Sequence, residues 1–275
     1  AGLLATTPAS AQEQGPATPA AQLTQPPARD PADLQVLFWN DEQRSQRFRE
    51  MEQWFAGHEV PGSAAPRALP AGAPLSAALQ DEIKALVAET KTAGVMVLVD
   101  GKVAFEHYGL GLGPKDRWTS FSVAKSFTST LLGAAVKDGF ITSLDDPVTK
   151  YIAGLKGSAY EGVTVRQLAT MTSGVKWDEN YTDPKSDVAQ MNRFVVEYGA
   201  EAIVAQMKQL PREAEPGAKW VYKTGETNLI GVLVENAVGK PLAEYAKAKI
   251  VDPAGFAGGL FWMVDPRGGN IGGCC

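Results

Sequence analysis

The sequence predicts an α+β protein, and three observations carry that prediction. A two-stranded hairpin signal occupies residues 94–108, an amphipathic helical repeat covers 75–89, and apolar helical runs recur at 123–137, 228–238 and 242–250. The chain has 275 residues, of which 44% are hydrophobic and 21% charged, so a packed core is expected. The net charge is -5 and no Lys/Arg cluster stands out, which excludes a nucleic-acid footprint. No apolar run approaches the ~20 residues of a membrane-spanning helix. Only His58 and His107 are present, and Cys274 and Cys275 are adjacent. A histidine-built metal site, a Cys-x-x-Cys site and a disulfide framework are therefore not expected, and neither is a cofactor.

From the start of the chain, Gly2-Leu-Leu-Ala5 followed by Ala9-Ser-Ala11 reads as the tail of a secretory signal with its small-x-small cleavage site. This predicts an exported protein, periplasmic or extracellular in a bacterium, with residues 1–11 a signal-peptide remnant. Residues 12–33, rich in Ala, Pro and Gln, read as a disordered linker before a single domain over 34–275. Phe48, Met51, Trp54 and Phe55 recur at roughly helical spacing within 41–55. In the helix over 75–89, Ser76 is the candidate N-cap and Leu79, Ile83, Leu86 and Val87 share the apolar face.

The hairpin pairs Gly94–Val99 with Lys102–Tyr108 across Asp100-Gly101, whose glycine accepts the positive φ of a type I′ turn. A loop over 109–115 precedes the helix of Val123–Lys137, which ends at Gly139 and is apolar on nearly every face, as a helix buried mid-domain would be. Thr164 can cap a short helix bearing Val165, Leu168, Ala169 and Met171, ending at Ser173-Gly174. Residues 177–200 read as polar loop, 200–209 as helix, and Lys219–Tyr222 as a short strand-like run after Pro216-Gly217. Two helices, 228–238 and 242–250, flank Gly239-Lys-Pro241.

Ser122-Val-Ala-Lys125 is the chemically suggestive pattern. At the start of a helix, Ser-x-x-Lys puts both side chains on one face about a turn apart. A serine hydroxyl needs a neighbour to take its proton, and an amine of lowered basicity can do so. The helix N-terminus adds N–H groups where an oxyanion forms. In this composition chance alone supplies about one such pair, and a second exists at Ser173-Gly-Val-Lys176, where the glycine ends a helix. On the residues alone, Ser122 reads equally as an N-cap beside a snorkelling lysine. No Gly-x-Ser-x-Gly elbow occurs, and neither histidine lies in a triad motif.

Thr119-Ser-Phe-Ser-Val-Ala-Lys-Ser-Phe127 and Gly139-Phe-Ile-Thr-Ser-Leu-Asp-Asp-Pro147 resemble the active-site helix and its exit in class C β-lactamase-like, penicillin-binding serine hydrolases. Tyr222-Lys-Thr-Gly-Glu-Thr-Asn-Leu-Ile-Gly231 is similar to that family's second motif, and Gly239-Lys-Pro-Leu242 with Asp252-Pro-Ala-Gly255 completes the stretch. Trp177-Asp-Glu-Asn-Tyr-Thr-Asp-Pro-Lys-Ser-Asp187 looks most like the 6-aminohexanoate-dimer, or nylon-oligomer, hydrolase branch.

The resemblance implies a β-lactamase/transpeptidase-like fold: an antiparallel sheet flanked by helices plus a mainly helical subdomain, with the C-terminal strands missing. It implies Ser122 as acylated nucleophile, Lys125 as holder of its proton, and Tyr222 as general base, as phenolate or through Lys125. Tyr181 and Thr224 would contact substrate, a small amide or ester. The pattern departs at Thr224, where the family has Asn or Ser, and the sequence stops at Gly272-Gly-Cys-Cys275 before the family's third motif. The latter reads as a fragment with half of its oxyanion hole absent and an apolar hairpin edge open. Two alternatives stay open: a β-lactamase or D-alanyl-D-alanine carboxypeptidase, and a non-catalytic sensor or binding protein.

Overall fold

The computed structural model describes residues 22–275. The expected signal remnant at 1–11 and residues 12–21 of the expected linker lie outside that range. Within the remainder of that stretch, 22–24 and 31–34 take regular structure and 25–30 has none. Gln22–Thr24 forms strand β1 and hydrogen-bonds antiparallel to β2 (Gly57–Val60), with Leu23 opposite His58. Between them, the aromatic spacing over 41–55 resolves into helix α1 (Asp41–Arg47) and a separate 3-10 turn at Met51–Gln53. Phe48, Trp54 and Phe55 gather around Trp39 and Met51 in a small satellite core.

Helix α2 (Ala77–Glu89) starts at Ser76, whose hydroxyl caps Leu79 N–H. Its expected apolar face is mostly uncovered: Val87 is buried, but Leu79 is 42% and Leu86 57% exposed. The hairpin forms as expected from β3 (Gly94–Val99) and β4 (Lys102–Tyr108). Asp100 and Gly101 take φ 51° and 73°, the two positive values a type I′ turn requires. Among the described residues this hairpin is a sheet of its own, with Met96, Leu98 and Val99 largely exposed. The other sheet, of order β1-β2-β5, is closed by β5 (Leu260–Met263), with His58 opposite Trp262.

Helix α3 (Ala124–Lys137) is less enveloped than its composition suggests. Ala124, Thr128, Leu131, Leu132 and Ala135 are buried, while Ser126, Ser129, Thr130 and Gly133 face out. Helix α4 (Val165–Ala169) carries the expected cap at Thr164 in a reciprocal capping box with Gln167, but ends before Met171. The stretch expected to be loop over 177–200 contains helix α5 (Asp187–Tyr198), begun by Ser186 Oγ, which accepts from Ala189 N–H at 3.2 Å. Helix α6 (Ala202–Lys208) follows. Residues 219–222, expected as a short strand-like run, form no strand among the described residues.

Helix α7 (Thr224–Val238) begins four residues earlier than expected and ends at Gly239 in the left-handed conformation, φ 69°. Gly225 permits that early start, since a Cβ there would sit 2.5 Å from Met207 Sδ and 2.9 Å from the Trp177 ring. Helix α8 (Leu242–Ala246) passes into a π-turn over Lys247–Val251 rather than continuing as α-helix.

One core joins these elements. Leu131, Leu132 and Ala135 of α3 pack with Leu229, Ile230, Leu233 and Val234 of α7, Leu242 and Ala246 of α8, and Trp262 of β5. Leu131 is wholly buried at this crossing, so Leu131→Ala is expected to lower unfolding free energy by about 2–5 kcal/mol, read from urea denaturation. Among the described residues no helix is long and apolar enough to cross a membrane.

Candidate active site

The chain enters α3 through a strained corner. Phe121 holds φ 43°, unusual for an aromatic residue, and its ring meets the Phe48 ring edge-on with centroids 5.1 Å apart. A 3-10 turn over Phe121–Val123 follows and leaves Ser122 exposed at the head of α3. Lys125, one turn on, places Nζ 3.0 Å from Ser122 Oγ. The same Nζ lies 5.1 Å from the centre of the Tyr222 ring and donates to the Gly273 carbonyl at 2.5 Å. The three sequence candidates Ser122, Lys125 and Tyr222 therefore converge. An amine in hydrogen-bond contact with an exposed serine hydroxyl can exchange a proton with it directly.

Thr224 opens α7 and does not face a free cleft. Its N–H donates to Glu179 Oε2 at 3.0 Å, and its hydroxyl donates to Glu179 Oε1. Tyr181 donates to the same Oε1 at 2.7 Å and stands 3.4 Å from Thr224 Oγ1, and Trp177 Nε1 donates to Oε2. Glu179 thus organises Tyr181 and Thr224 beside Tyr222. The sequence reading passed over it, although it lies within the Trp177–Asp187 motif. Burial pushes the Tyr181 phenol up to about 12, so at neutral pH Tyr181 keeps its proton and remains a donor.

The competing Ser173-x-x-Lys176 pair does not form. Ser173 is fully buried, Lys176 points to solvent, and Ser173 Oγ binds Glu226 and Lys223 instead.

A second contribution overlooked in the sequence comes from Gly272-Gly273. Thr128 Oγ1 donates to the Gly272 carbonyl at 2.7 Å, and Gly273 N–H donates to Asn228 Oδ1 at 2.6 Å. These bonds lay the segment along α3 and α7 and aim the Gly273 carbonyl at Lys125. Only glycine fits: a Cβ on Gly273 would come 2.9 Å from both Cγ2 and the carbonyl oxygen of Thr224. Gly273→Ala is expected to move that carbonyl off Lys125 and slow covalent labelling of Ser122 by a fluorophosphonate probe about 10- to 100-fold. Cys274 and Cys275, just beyond, are bonded to each other, and the Cys275 carbonyl accepts from Met263 N–H of β5 at 3.1 Å.

The comparisons with known proteins follow this geometry. The Beta-lactamase family pattern matches residues 79–266, well over half of the chain. A 6-aminohexanoate-dimer hydrolase of Paenarthrobacter ureafaciens is 38% identical over 105 residues, which are 38% of this chain and 26% of the relative. A β-lactamase of Providencia stuartii is 28% identical over 185 residues, 64% of this chain and 44% of the relative. The chain thus spans less than half the length of these curated relatives. A solved structure from Bacillus anthracis, provisionally described as a 6-aminohexanoate-dimer hydrolase, superposes with a TM-score of 0.75 at 20% identity, covering 86% of this chain and 65% of that one. That superposition establishes the β-lactamase/transpeptidase-like fold, and the family match settles kinship: the chain belongs to the Beta-lactamase family.

Proposed function

We propose that this chain carries the acylation site of a serine hydrolase that cleaves a small amide or ester through an acyl-serine intermediate. The observation that carries the reading is the contact of Lys125 Nζ with Ser122 Oγ at 3.0 Å, with the Tyr222 ring 5.1 Å from the same nitrogen. In this reading Ser122 Oγ attacks the substrate carbonyl carbon while its proton passes to Lys125 or, through it, to Tyr222. The carbonyl oxygen takes the electron pair and is stabilised at the N-terminal end of α3. Collapse breaks the bond to the leaving amine or alcohol, which takes the proton. Water then attacks the ester on Ser122, aided by the same base, and restores the hydroxyl. Tyr181, a neutral donor, flanks this point as a substrate contact, whereas the sequence candidate Thr224 is buried with both its donors on Glu179 and serves to hold that carboxylate beside Tyr181.

The match to the Paenarthrobacter ureafaciens enzyme favours a linear amide of the kind in that protein's name. The Providencia stuartii relative supports a second reading, a strained cyclic amide opened by the same chemistry. The small-x-small run Ala9-Ser-Ala11 supports an exported location, periplasmic or extracellular. A fluorophosphonate probe on the full-length protein tests the core of the reading: a mass adduct on Ser122 is expected, and an unlabelled Ser122 in folded protein overturns it. Turnover of 6-aminohexanoate dimer against nitrocefin then separates the two substrate classes.

A further inference from the structure

Below the first turn of α7 lies a buried polar cluster that the acyl-transfer chemistry leaves unused. Lys223, Glu226, Ser173 and Tyr160 are all at 0% exposure. Lys223 Nζ donates to Ser173 Oγ at 3.2 Å and lies 3.5 Å from Glu226 Oε1. The same Oε1 accepts from the Tyr160 hydroxyl at 3.2 Å and from the Ser173 hydroxyl. Glu226 Oε2 is buried without a hydrogen-bond partner in the protein. Lys223 and Glu226 sit at the head of α7, and Tyr160 and Ser173 are the polar groups that face them from the segments packed beneath. Asp187 acts on Tyr160 from further away.

Such a pair is a poor source of stability, because stripping water from two charges costs about as much as their attraction returns. Here burial outweighs the pull of Lys223 and pushes the Glu226 carboxyl up from 4.5 to about 6. Since the folded value lies above the ordinary one, the stability this group contributes is full below about 4.5 and is lost as pH rises through about 6. At neutral pH the ionised Glu226 carboxylate is therefore carried at a cost to the fold.

The backbone indicates what the cost maintains. Lys223 is extended, with φ -140° and ψ 102°, and stands between Tyr222 and Thr224. In extended chain successive side chains point to opposite sides. Anchoring Lys223 inward therefore turns Tyr222 toward Lys125 and Thr224 toward Glu179. The adjoining turn is fixed to the same run, with Val221 N–H donating to the Met171 carbonyl at 3.2 Å and Lys223 N–H meeting Met171 Sδ at 3.3 Å. We propose that the buried Lys223–Glu226 pair is a positioning device for Tyr222, fixing the rotation of the 222–224 backbone that presents the Tyr222 ring to Lys125. The proposal rests on the serine-hydrolase reading above.

The test uses the full-length protein at pH 8, with three readouts: Tm, the rate of fluorophosphonate labelling at Ser122, and kcat and KM on a p-nitrophenyl ester. Lys223→Met/Glu226→Leu is expected to keep or raise Tm while lowering labelling rate and kcat about 10- to 100-fold, with KM changed by less than about twofold. Glu226→Gln keeps an acceptor for both hydroxyls but leaves Lys223 without a counter-charge. It is expected to lower both Tm and kcat. A double variant that melts at or above the wild type and labels at the wild-type rate overturns the proposal. So does a folded Glu226→Gln with unchanged kcat, which decides the matter if the double variant does not fold. Wild-type protein that leaves Ser122 unlabelled overturns the hydrolase reading itself, whereas labelled wild type with unaffected variants overturns only the positioning role.

Discussion

Ser122→Ala is expected to lower turnover of any acyl substrate on the order of a million-fold and to abolish covalent labelling, while leaving the fold intact. The size of the effect follows from the role assigned above, because among the described residues the one hydroxyl hydrogen-bonded to Lys125 is that of Ser122. The intact fold follows from position. Ser122 is exposed, and the one side-chain hydrogen bond its hydroxyl makes among the described residues is with Lys125 at 3.0 Å. Truncating an exposed group of this kind shifts stability by about 0.5 kcal/mol or less. A melting curve that matches wild type, beside an unlabelled protein, is the expected pair of results. Labelling that persists in Ser122→Ala would place the nucleophile elsewhere; Ser173, wholly buried, is not available for that role.

Lys125→Met is expected to cost roughly 100- to 10,000-fold in kcat, with much less change in KM. Methionine keeps much of the length and apolar bulk of the stem but cannot exchange a proton. It would also leave the Gly273 carbonyl without the donor now 2.5 Å away. Tyr222→Phe removes a hydroxyl whose ring already stands 5.1 Å from the same amine. If the two side chains handle one proton between them, the double variant is little worse than Lys125→Met alone. Additive losses in a double-mutant cycle would mean that they act independently.

The parts of this molecule that were legible in the sequence are those written locally. The Asp100-Gly101 turn, the Ser76 and Thr164 caps and the Ser122–Lys125 spacing each depend on residues within four positions of one another, and each stands where the chain predicts it. Helix α5 was hidden because its polar residues outweigh the buried pair Val188 and Phe194 that give it a face. The apolar stripe of α2 was legible, but its exposure was not: whether Leu79 and Leu86 are covered depends on distant chain. The three-stranded sheet joins Gly57 to Met263, and no local pattern announces such a partnership. Glu179 escaped notice for a related reason. A carboxylate in a polar loop is unremarked until Trp177, Tyr181 and Thr224 are seen to converge on it.

The hydrogen bond from Lys125 to the Gly273 carbonyl spans 148 positions of sequence. Closing so long a loop carries an entropic penalty that local elements never meet, and it makes this contact one of the later ones to form. A ribosome delivers Ser122, Lys125 and Tyr222 well before Gly273, so a nascent chain holds the hydroxyl, the amine and the phenol while the amine still lacks the acceptor that orients it. Reactivity at Ser122 then reports on more than the presence of its neighbours. It is a gauge of whether the Gly272-Gly273 segment has docked between α3 and α7, and in refolding experiments its recovery should lag behind the return of helical signal.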